Sequence, residues 1–446
     1  MNTYSPSYWS GDNPRVERIL SGRTAHPQPS SGTALEEQIS SLCRKVADGG
    51  DEAILEATSS FDGISISSPV VNAAELEDLA SRTPQDVKES LDRAMKNSLE
   101  FNEKIVSRAN WEASSGGSYR YGEIVRPVEA AGLFVPNGKG RFPSVAVQIG
   151  CPAVAAGVER LVLASSPCSD DAARLDPAVA YVARRLGVEQ VLCANGPALI
   201  AALAFGTESV RPVPLIAGPG SAPVVIAQRF VSRFGVQSVP GLGPTDSFIV
   251  ADATADPVLL AADLINEAEH GMDSSAVLVC TDETVTEKAI QYVREQIEEL
   301  PPPRREYAVS SIFEHGGIFL VDSIADGIAA ANEYAPEHLQ LAVETPREYV
   351  GMVENAGTLL LGRATTFSIS NYVAGTPATL PTTGAARVSS GVTAHTYLNR
   401  TSFLELDERS SGELGEHVVR LADYESFPAH ASWRSEERRV GKECRS

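Results

Sequence analysis

Short runs of consecutive apolar residues recur through the last two thirds of the chain, and they limit its fold more than any other feature. Between most of them lie 10–16 residues of helical character, such as the stretch from Asp176 to Leu186 that Gly187 closes. Strands buried on both faces have continuous apolar sequences, and strand–helix alternation implies parallel sheets with right-handed crossovers. The runs occupy residues 161–164, 191–193, 215–217, 248–250, 276–279, 318–321 and 359–361. The pattern predicts an α/β protein.

The apolar runs fall into two blocks, roughly residues 132–246 and 247–392. Residues 35–110 are helical in pattern, and one helix start is marked at Thr83, where a capping hydroxyl precedes Pro84. Residues 395–433 return to helix-like segments. The chain of 446 residues is long enough for two large domains with smaller helical elements at both ends.

Charge and cysteine content exclude several classes of function. The net charge of −21 argues against nucleic acid as a partner, because phosphate binding needs a basic face. No apolar run approaches the ~18 residues of a membrane span, and residues 1–35 lack the order of a signal peptide. The six cysteines form no CxxC pair, which is typical of reduced thiols in a cytoplasmic protein. Residues 434–446 look like a translated sequencing adapter and are left out of the fold prediction.

Two histidines stand in contexts that suggest chemistry. Glu267 and His270 are three residues apart on a predicted helix end, so both side chains share one face and have a spacing that suits two ligands of one metal. Such a pair is more often solvated surface. Glu337 and His338 follow Pro336 on a predicted turn, where an acid and a base could serve one substrate. A loop pair facing water is the simpler interpretation of that sequence taken alone.

Two glycine-rich segments resemble nucleotide-binding motifs without matching them. Residues 137–141 are basic but are not a phosphate-binding loop of the GxxxxGK[ST] type. Residues 218–221 form a turn before a helix without a complete GxGxxG fingerprint. From the residues alone, the prediction ends at an α/β enzyme with a possible metal.

Several motifs nevertheless follow one another in the order found in a known family. They are residues 131–136 (AGLFVP), 200–209 (IAALAFGTES), 218–220 (GPG), 268–271 (AEHG) and 334–339 (YAPEHL), and residues 50–53 (GDEA) fit as well. From about residue 35 to residue 433 the chain resembles the histidinol dehydrogenases, which are zinc- and NAD-dependent. It also has features of the branch that oxidises sulfopropanediol.

The resemblance implies two incomplete Rossmann-like domains with small N- and C-terminal helical elements, in a homodimer that exchanges its C-terminal pieces. The implied organisation is an N-terminal arm (1–30), a discontinuous first α/β domain (31–131 plus 247–392), a second, nucleotide-side α/β domain (132–246) and a swapped helical element (393–433). Each active site would then borrow residues from the partner.

The same resemblance assigns the reaction and its residues. The family oxidises an alcohol to an aldehyde and then to an acid in two NAD-linked steps. His338 would be the general base, and Glu337 would activate the water of the second step. The family's zinc (Zn²⁺) ligands are Gln, His, Asp and His, which match Glu267, His270, Asn371 and His430 here. One carboxylate and one amide have exchanged places, so the ligand charge is kept. Loss of the metal is the alternative.

The remaining matched positions concern cofactor and substrate. The family's nucleotide-contacting positions correspond to Phe134, Ala198 and Ser221, which removes side-chain hydrogen bonds to NAD. Substrate contacts correspond to Thr245 and, from the partner, Glu425, together with the four metal positions and His338. A family histidine is missing from residues 375–378, which read Gly-Thr-Pro-Ala. Lys139 and Arg141 are candidates for binding an anionic tail, although a solvated basic loop is the simpler interpretation.

The resemblance and its departures leave three candidate functions. The first is a family member that oxidises a small polar alcohol other than histidinol. The second is an ordinary histidinol dehydrogenase of histidine biosynthesis. The third is a non-redox binding homologue, which the altered nucleotide positions suggest. Binding of NAD separates the third from the others, and rescue of a histidine auxotroph separates the second from the first.

Overall fold

The structure, a computed structural model, describes residues 7–21, 33–115, 119–137, 140–168, 175–239 and 244–432. The chain divides into two compact units. One comprises residues 1–104 and 127–397, and the other comprises residues 105–126 and 398–446. Within the described ranges, no helix has the length and apolarity needed to cross a membrane. The suspected adapter segment, 434–446, lies outside the described residues.

The larger unit contains two six-stranded sheets, which confirms the predicted α/β fold. The first sheet has the strand order β1-β12-β11-β10-β13-β14, and all its pairings are parallel. Its strands are β1 (Ser7–Tyr8), β10 (Asp246–Ala251), β11 (Ser275–Cys280), β12 (Gly317–Leu320), β13 (His338–Ala342) and β14 (Thr358–Leu361). The chain reverses direction across the sheet between β10 and β13. This point is a topological switch, and the crevice that such a switch opens lies at the carboxyl ends of the strands.

The second sheet has the order β2-β7-β6-β5-β8-β9, with β2 antiparallel to β7 at one edge. Its strands are β2 (Val70–Val71), β5 (Ala130–Val135), β6 (Arg160–Ser165), β7 (Gln190–Cys193), β8 (Leu215–Ala217) and β9 (Gln237–Ser238). The switch point of this sheet lies between β5 and β8. Every apolar run noted in the sequence lies in or overlaps a strand, and all but the run in β14, where only Leu360 is buried, are buried on both faces.

Helices cover both sheets, and side chains cap several of their first turns. Helix α6, for example, begins after Asp176, whose carboxylate accepts from the amides of Ala178 and Val179. The helices of the larger unit are α1 (Pro14–Ser21), α2 (Ala34–Asp62), α3 (Ala73–Ser81), α4 (Gln85–Val106), α5 (Pro143–Ala156), α6 (Pro177–Arg185), α7 (Gly196–Phe205), α8 (Ala222–Ser232), α9 (Pro257–Ala268), α10 (Glu283–Glu298), α11 (Arg304–Phe313), α12 (Ile324–Tyr334) and α13 (Phe367–Tyr372). Helix α4 begins near the predicted start, but the Thr83 hydroxyl is buried without a partner within the described residues and so provides no cap.

The N-terminal helices pack differently from the grouping expected above. Helix α2 packs its buried residues, among them Leu42, Val46 and Ile54, with residues of α7 and α8 in the core of the second sheet. Strand β2 extends that same sheet. The family resemblance implied that residues 31–131 group with residues 247–392 instead. The arm at residues 7–21 contributes β1 and α1 to the first sheet, where Trp9 packs edge-on against Phe248 and Phe319.

The smaller unit contains a three-stranded sheet as well as helices. Its strand order is β15-β4-β3, formed by β3 (Trp111–Ser115), β4 (Tyr119–Pro127) and β15 (Leu398–Leu406). Helices α14 (Glu408–Tyr424) and α15 (Pro428–Ala431) follow. The sequence pattern predicted only helices in residues 393–433. Strand β15 has no buried residue and several exposed polar ones, so it lacks the apolar run by which the other strands were found.

Two of the family motifs are joined by a polar cluster with a structural role. The Asp51 carboxylate accepts hydrogen bonds from the hydroxyls of Thr207 (2.6 Å) and Ser209, and its amide donates to Glu208 Oε2 (2.8 Å). Gly50 makes this possible, because it breaks α2 with a φ of +54° and a Cβ there would collide with the Glu208 carboxylate. The cluster ties the middle of α2 to the loop that follows α7.

Replacing Asp51 with Ala is expected to lower the free energy of unfolding by ~1–3 kcal/mol, because two hydroxyls lose their acceptor. Urea denaturation measures the change. Asp48→Ala is the matched control, since Asp48 is an exposed carboxylate in the same helix, and it should change stability by no more than ~0.5 kcal/mol. Equal effects of the two substitutions would contradict a structural role for the cluster.

Candidate active site

The amino ends of two neighbouring parallel strands bring together the first group of polar residues. Asp246 is the first residue of β10, and His338 is the first residue of β13, which pairs with Ser247. The Glu337 amide donates to Asp246 Oδ1 (2.7 Å), and the Asp246 amide donates to Glu337 Oε2 (3.3 Å). The Thr383 amide donates to the other oxygen of Asp246 (2.6 Å). These bonds fix both carboxylates beside the imidazole.

His338 is a buried strand residue, whereas the sequence suggested an exposed turn. Its Nε2 lies 3.6 Å from Glu337 Oε1, and its Nδ1 is buried without a hydrogen-bond partner in the part of the chain that the structure describes. Burial lowers the pKa of His338 below its ordinary value, and the nearby carboxylates of Glu267 and Asp246 oppose that shift only in part. The imidazole is therefore neutral at pH 7 and can accept a proton.

The second group lies at the end of α9 and on α13. The Glu267 side chain is 1% exposed, and its Oε1 accepts hydrogen bonds from the amides of Asn371 (2.6 Å) and Asn266 (2.8 Å). Its Oε2 lies 3.8 Å from His270 Nε2. The structure thus brings Glu267, His270 and Asn371 together, as the sequence analysis expected for metal ligands.

These three donors form a partial ligand set. Among the described residues, no three His, Cys, Asp or Glu side chains are arranged to hold a metal ion. The amide of Asn371 supplies the third donor here, and its Oδ1 is buried without a partner inside the described ranges. An unsatisfied buried oxygen is unfavourable, and a metal cation would satisfy it. The donors fit zinc, which binds imidazole nitrogen and carboxylate oxygen and leaves one position open in catalytic sites.

Three buried polar residues near the site were missed in the sequence. They are Asp246, Asp263 and Gln340. Gln340 Nε2 donates to Asp263 Oδ2 (3.1 Å) and to the Thr365 carbonyl (3.0 Å). Burial raises the pKa of Asp263 to about 6, and the charge of Glu267 adds to the rise. The signal was present in the spacing, because Asp263 is four residues before Glu267 on a helix and Gln340 is two after His338 on a strand.

The expected nucleotide positions lie near the switch point of the second sheet. Phe134 and Ala198 are fully buried, so their side chains belong to the core. Ser221 is exposed at the start of α8, and its side chain makes no capping bond. Gly218 has a φ of +135°, and a Cβ there would lie 2.0 Å from the Phe134 carbonyl oxygen. The uncapped helix start beside a close glycine turn fits a dinucleotide's phosphates, which bind to backbone amides.

The remaining expected residues are placed as follows. Thr245 is half-buried and directly precedes β10. Arg141 lies with its Nε 3.6 Å from Asp176 Oδ2, so it has an acidic partner, and Lys139 is outside the described residues. Glu425 and His430 belong to the smaller unit, where both are exposed and His430 packs against Phe427 with ring centroids 5.4 Å apart.

Known proteins match the chain over nearly its whole length. The family model described as histidinol dehydrogenase matches residues 26–437. The histidinol dehydrogenase of a Synechocystis strain is 36% identical over 384 residues, which cover 86% of this chain and 88% of that protein. The Bacillus subtilis histidinol dehydrogenase is 34% identical over 433 residues and is covered completely. The crystal structure of histidinol dehydrogenase from Elizabethkingia anophelis has a TM-score of 0.88 at 28% identity and covers 96% of this chain. The chain therefore belongs to the histidinol dehydrogenase family.

Proposed function

We propose that this chain is a zinc- and NAD-dependent dehydrogenase that oxidises a primary alcohol through the aldehyde to the carboxylic acid. The observation that carries the proposal is the buried His338, whose Nε2 lies 3.6 Å from Glu337 Oε1 and whose pKa is lowered by burial. L-histidinol is the favoured substrate, because the relatives of similar length are named histidinol dehydrogenases. This reverses the preference of the sequence analysis, which put another small polar alcohol first.

The chain's own residues have distinct roles in this proposal. His338 takes the hydroxyl proton as hydride leaves the neighbouring carbon, and Glu337 deprotonates the water that adds to the aldehyde. Glu267, His270 and Asn371, with His430 of the partner subunit, would hold the zinc and the substrate, and zinc would act there as a Lewis acid toward the alcohol. The backbone from Gly218 to Ser221 would bind the phosphates of NAD, and NAD would supply the hydride acceptor for both oxidations.

A specific observation favours a second substrate class. Residues 375–378 read Gly-Thr-Pro-Ala, so the histidine of the family's histidinol-binding segment is absent from this position. An alcohol with a small anionic tail, such as sulfopropanediol, makes no use of that imidazole. Arg141 is a candidate for the tail, although Asp176 would compete with it.

NAD reduction by purified protein with added zinc tests both substrates. Histidinol, sulfopropanediol and related amino and anionic alcohols are compared, and the product acid is quantified. Two NADH per alcohol consumed is the result expected of four-electron oxidation. Failure to bind NAD in calorimetry would contradict the proposal and leave the non-redox homologue. We propose that this enzyme, whether biosynthetic or catabolic, acts in the cytoplasm.

We further propose a homodimer with shared active sites. Helix α14 carries an exposed apolar stripe at Leu414, Val418 and Leu421, which are spaced along one helical face. A second copy of the chain is the partner that this proposal requires, and it would bring His430 and Glu425 to the neighbour's site.

Mixing two inactive variants, His430→Ala and His338→Asn, is expected to restore about a quarter of wild-type activity per protomer. In an equal mixture with random exchange, half of the dimers are heterodimers, and each contains one intact site of two. Activity is measured after subunit exchange has been verified with labelled protomers. No recovery despite complete exchange would contradict shared sites.

A further inference from the structure

One side chain links the nucleotide-side half of the larger unit to the cluster of candidate metal donors. Gln148 lies half-buried on α5, the helix that follows β5 of the second sheet. Its Nε2 donates to the backbone carbonyl of Asn371 (2.6 Å), and its Oε1 accepts from the Thr379 hydroxyl (2.9 Å). Both groups of the amide are therefore used, one at each end of the segment 371–379.

The segment 371–379 is also held from other sides, so it behaves as a fixed loop. Asn97 of α4 donates through its side-chain amide to the Val373 carbonyl (2.6 Å). Gly375 has a φ of +85°, and a Cβ there would lie 2.4 Å from the Asn97 backbone. Val392 donates its amide to the Thr379 carbonyl (2.9 Å). Gln148 adds the bond at the point where the loop leaves α13.

The bond from Gln148 acts on Asn371, whose side chain contacts Glu267. Asn371 directs its Nδ2 to Glu267 Oε1 (2.6 Å), and its Oδ1 is buried without a partner among the described residues. Because the carbonyl of Asn371 is held by Gln148, the direction of its side chain toward Glu267 is fixed from outside the site. The bond from Gln148 to the Asn371 carbonyl comes from α5 of the second sheet, not from an element of the first sheet.

We infer that Gln148 is a positioning residue for the Glu267–Asn371 pair and that it couples α5 of the nucleotide-side half to the metal donors. The inference rests on the proposed zinc site. Gln148 acts through Asn371, which it contacts by hydrogen bond, and takes no part in the chemical steps. Its loss should therefore affect metal binding more than stability.

Gln148→Met tests the inference, because methionine keeps the length of the side chain and makes neither hydrogen bond. Zinc affinity, measured by competition with a chromogenic chelator, is expected to fall ~10-fold, the lower end of the range found when supporting residues of a metal site are replaced. NAD affinity by calorimetry should stay unchanged, because the two bonds that the substitution removes go to Asn371 and Thr379. Circular dichroism and the melting temperature report whether the variant folds.

Thr379→Val is the matched control, since it removes only the bond to Gln148 Oε1 and leaves the donor to Asn371. It should change zinc affinity less than threefold. Gln148→Glu is the second variant if the methionine protein does not fold, because it keeps the acceptor for Thr379 and loses only the donor. Unchanged zinc affinity in Gln148→Met, or equal losses in Gln148→Met and Thr379→Val, would overturn the positioning role alone. A wild-type chain that binds no zinc would overturn both this inference and the proposed metal site.

Discussion

Replacing His338 with Asn is expected to lower kcat by ~10²–10⁴, the range that a general base contributes. The reason is in its surroundings: the imidazole is 2% exposed, and its Nδ1 has no hydrogen-bond partner in the described part of the chain. Asparagine fits the space but cannot accept the hydroxyl proton. Steady-state NAD reduction with saturating alcohol measures the loss, and the melting temperature shows whether the fold survives.

A surface histidine provides the control for this substitution. His315 is exposed and uses its backbone carbonyl to accept from Ser275, so His315→Asn removes an imidazole without touching the site. It should keep kcat within twofold. Activity of His338→Asn within threefold of the wild type, in folded protein, would rule out His338 as the base.

The pH dependence follows from the same burial. Burial lowers the pKa of His338, so its neutral, base-competent form persists below the ordinary value of ~6.5. The acid limb of kcat against pH should therefore lie below pH ~6.5. The sign for stability agrees: the unfolded chain takes up this proton more readily, so the contribution present above pH ~6.5 is lost as the pH falls through the lowered pKa.

The parallel sheets were predictable because their central strands are apolar on both faces. Strand β13 escaped notice because it begins with His338 and contains Gln340, so polar residues interrupt the apolar pattern. Strand β15 escaped notice for a related reason, since none of its residues is buried. The packing of α2 on the second sheet could not be read from the sequence, because helix periodicity tells which face is buried and not which sheet covers it.

The candidate site was predictable where motif spacing puts residues on one face. Glu267 and His270 are one turn apart, and in the structure Glu267 Oε2 lies 3.8 Å from His270 Nε2. The bonds that support the site were not predictable, because they join distant parts of the chain. Asp246 holds Glu337 across 91 residues, and Gln148 holds Asn371 across 223 residues. Such pairings are decided by strand order and by helix packing, which no local pattern encodes.

The exchange of a carboxylate and an amide between positions 267 and 371 leads to a second prediction with a large effect. Glu267→Gln should weaken zinc binding by at least ~100-fold, because it removes the one carboxylate among the three donors of the larger unit. Asn371→Ala should cost much less, since the amide oxygen is the weaker donor. Chelator competition gives the affinities, and kcat/KM for the alcohol should fall in parallel in the Glu267 variant.

The double variant Glu267→Gln with Asn371→Asp distinguishes a lost charge from a lost shape. It restores one carboxylate and one amide with their places exchanged, and it should recover zinc affinity to within about tenfold of the wild type.

Asn371→Asp alone should behave differently. Its carboxylate would face that of Glu267 across the 2.6 Å contact that an amide now bridges, so the metal-free protein should be destabilised by repulsion of like charges. Zinc would relieve that repulsion, and the melting temperature of Asn371→Asp should therefore rise more on zinc addition than that of the wild type. Wild-type affinity in Glu267→Gln, or a zinc-independent melting temperature in Asn371→Asp, would show that this pair of side chains holds no metal.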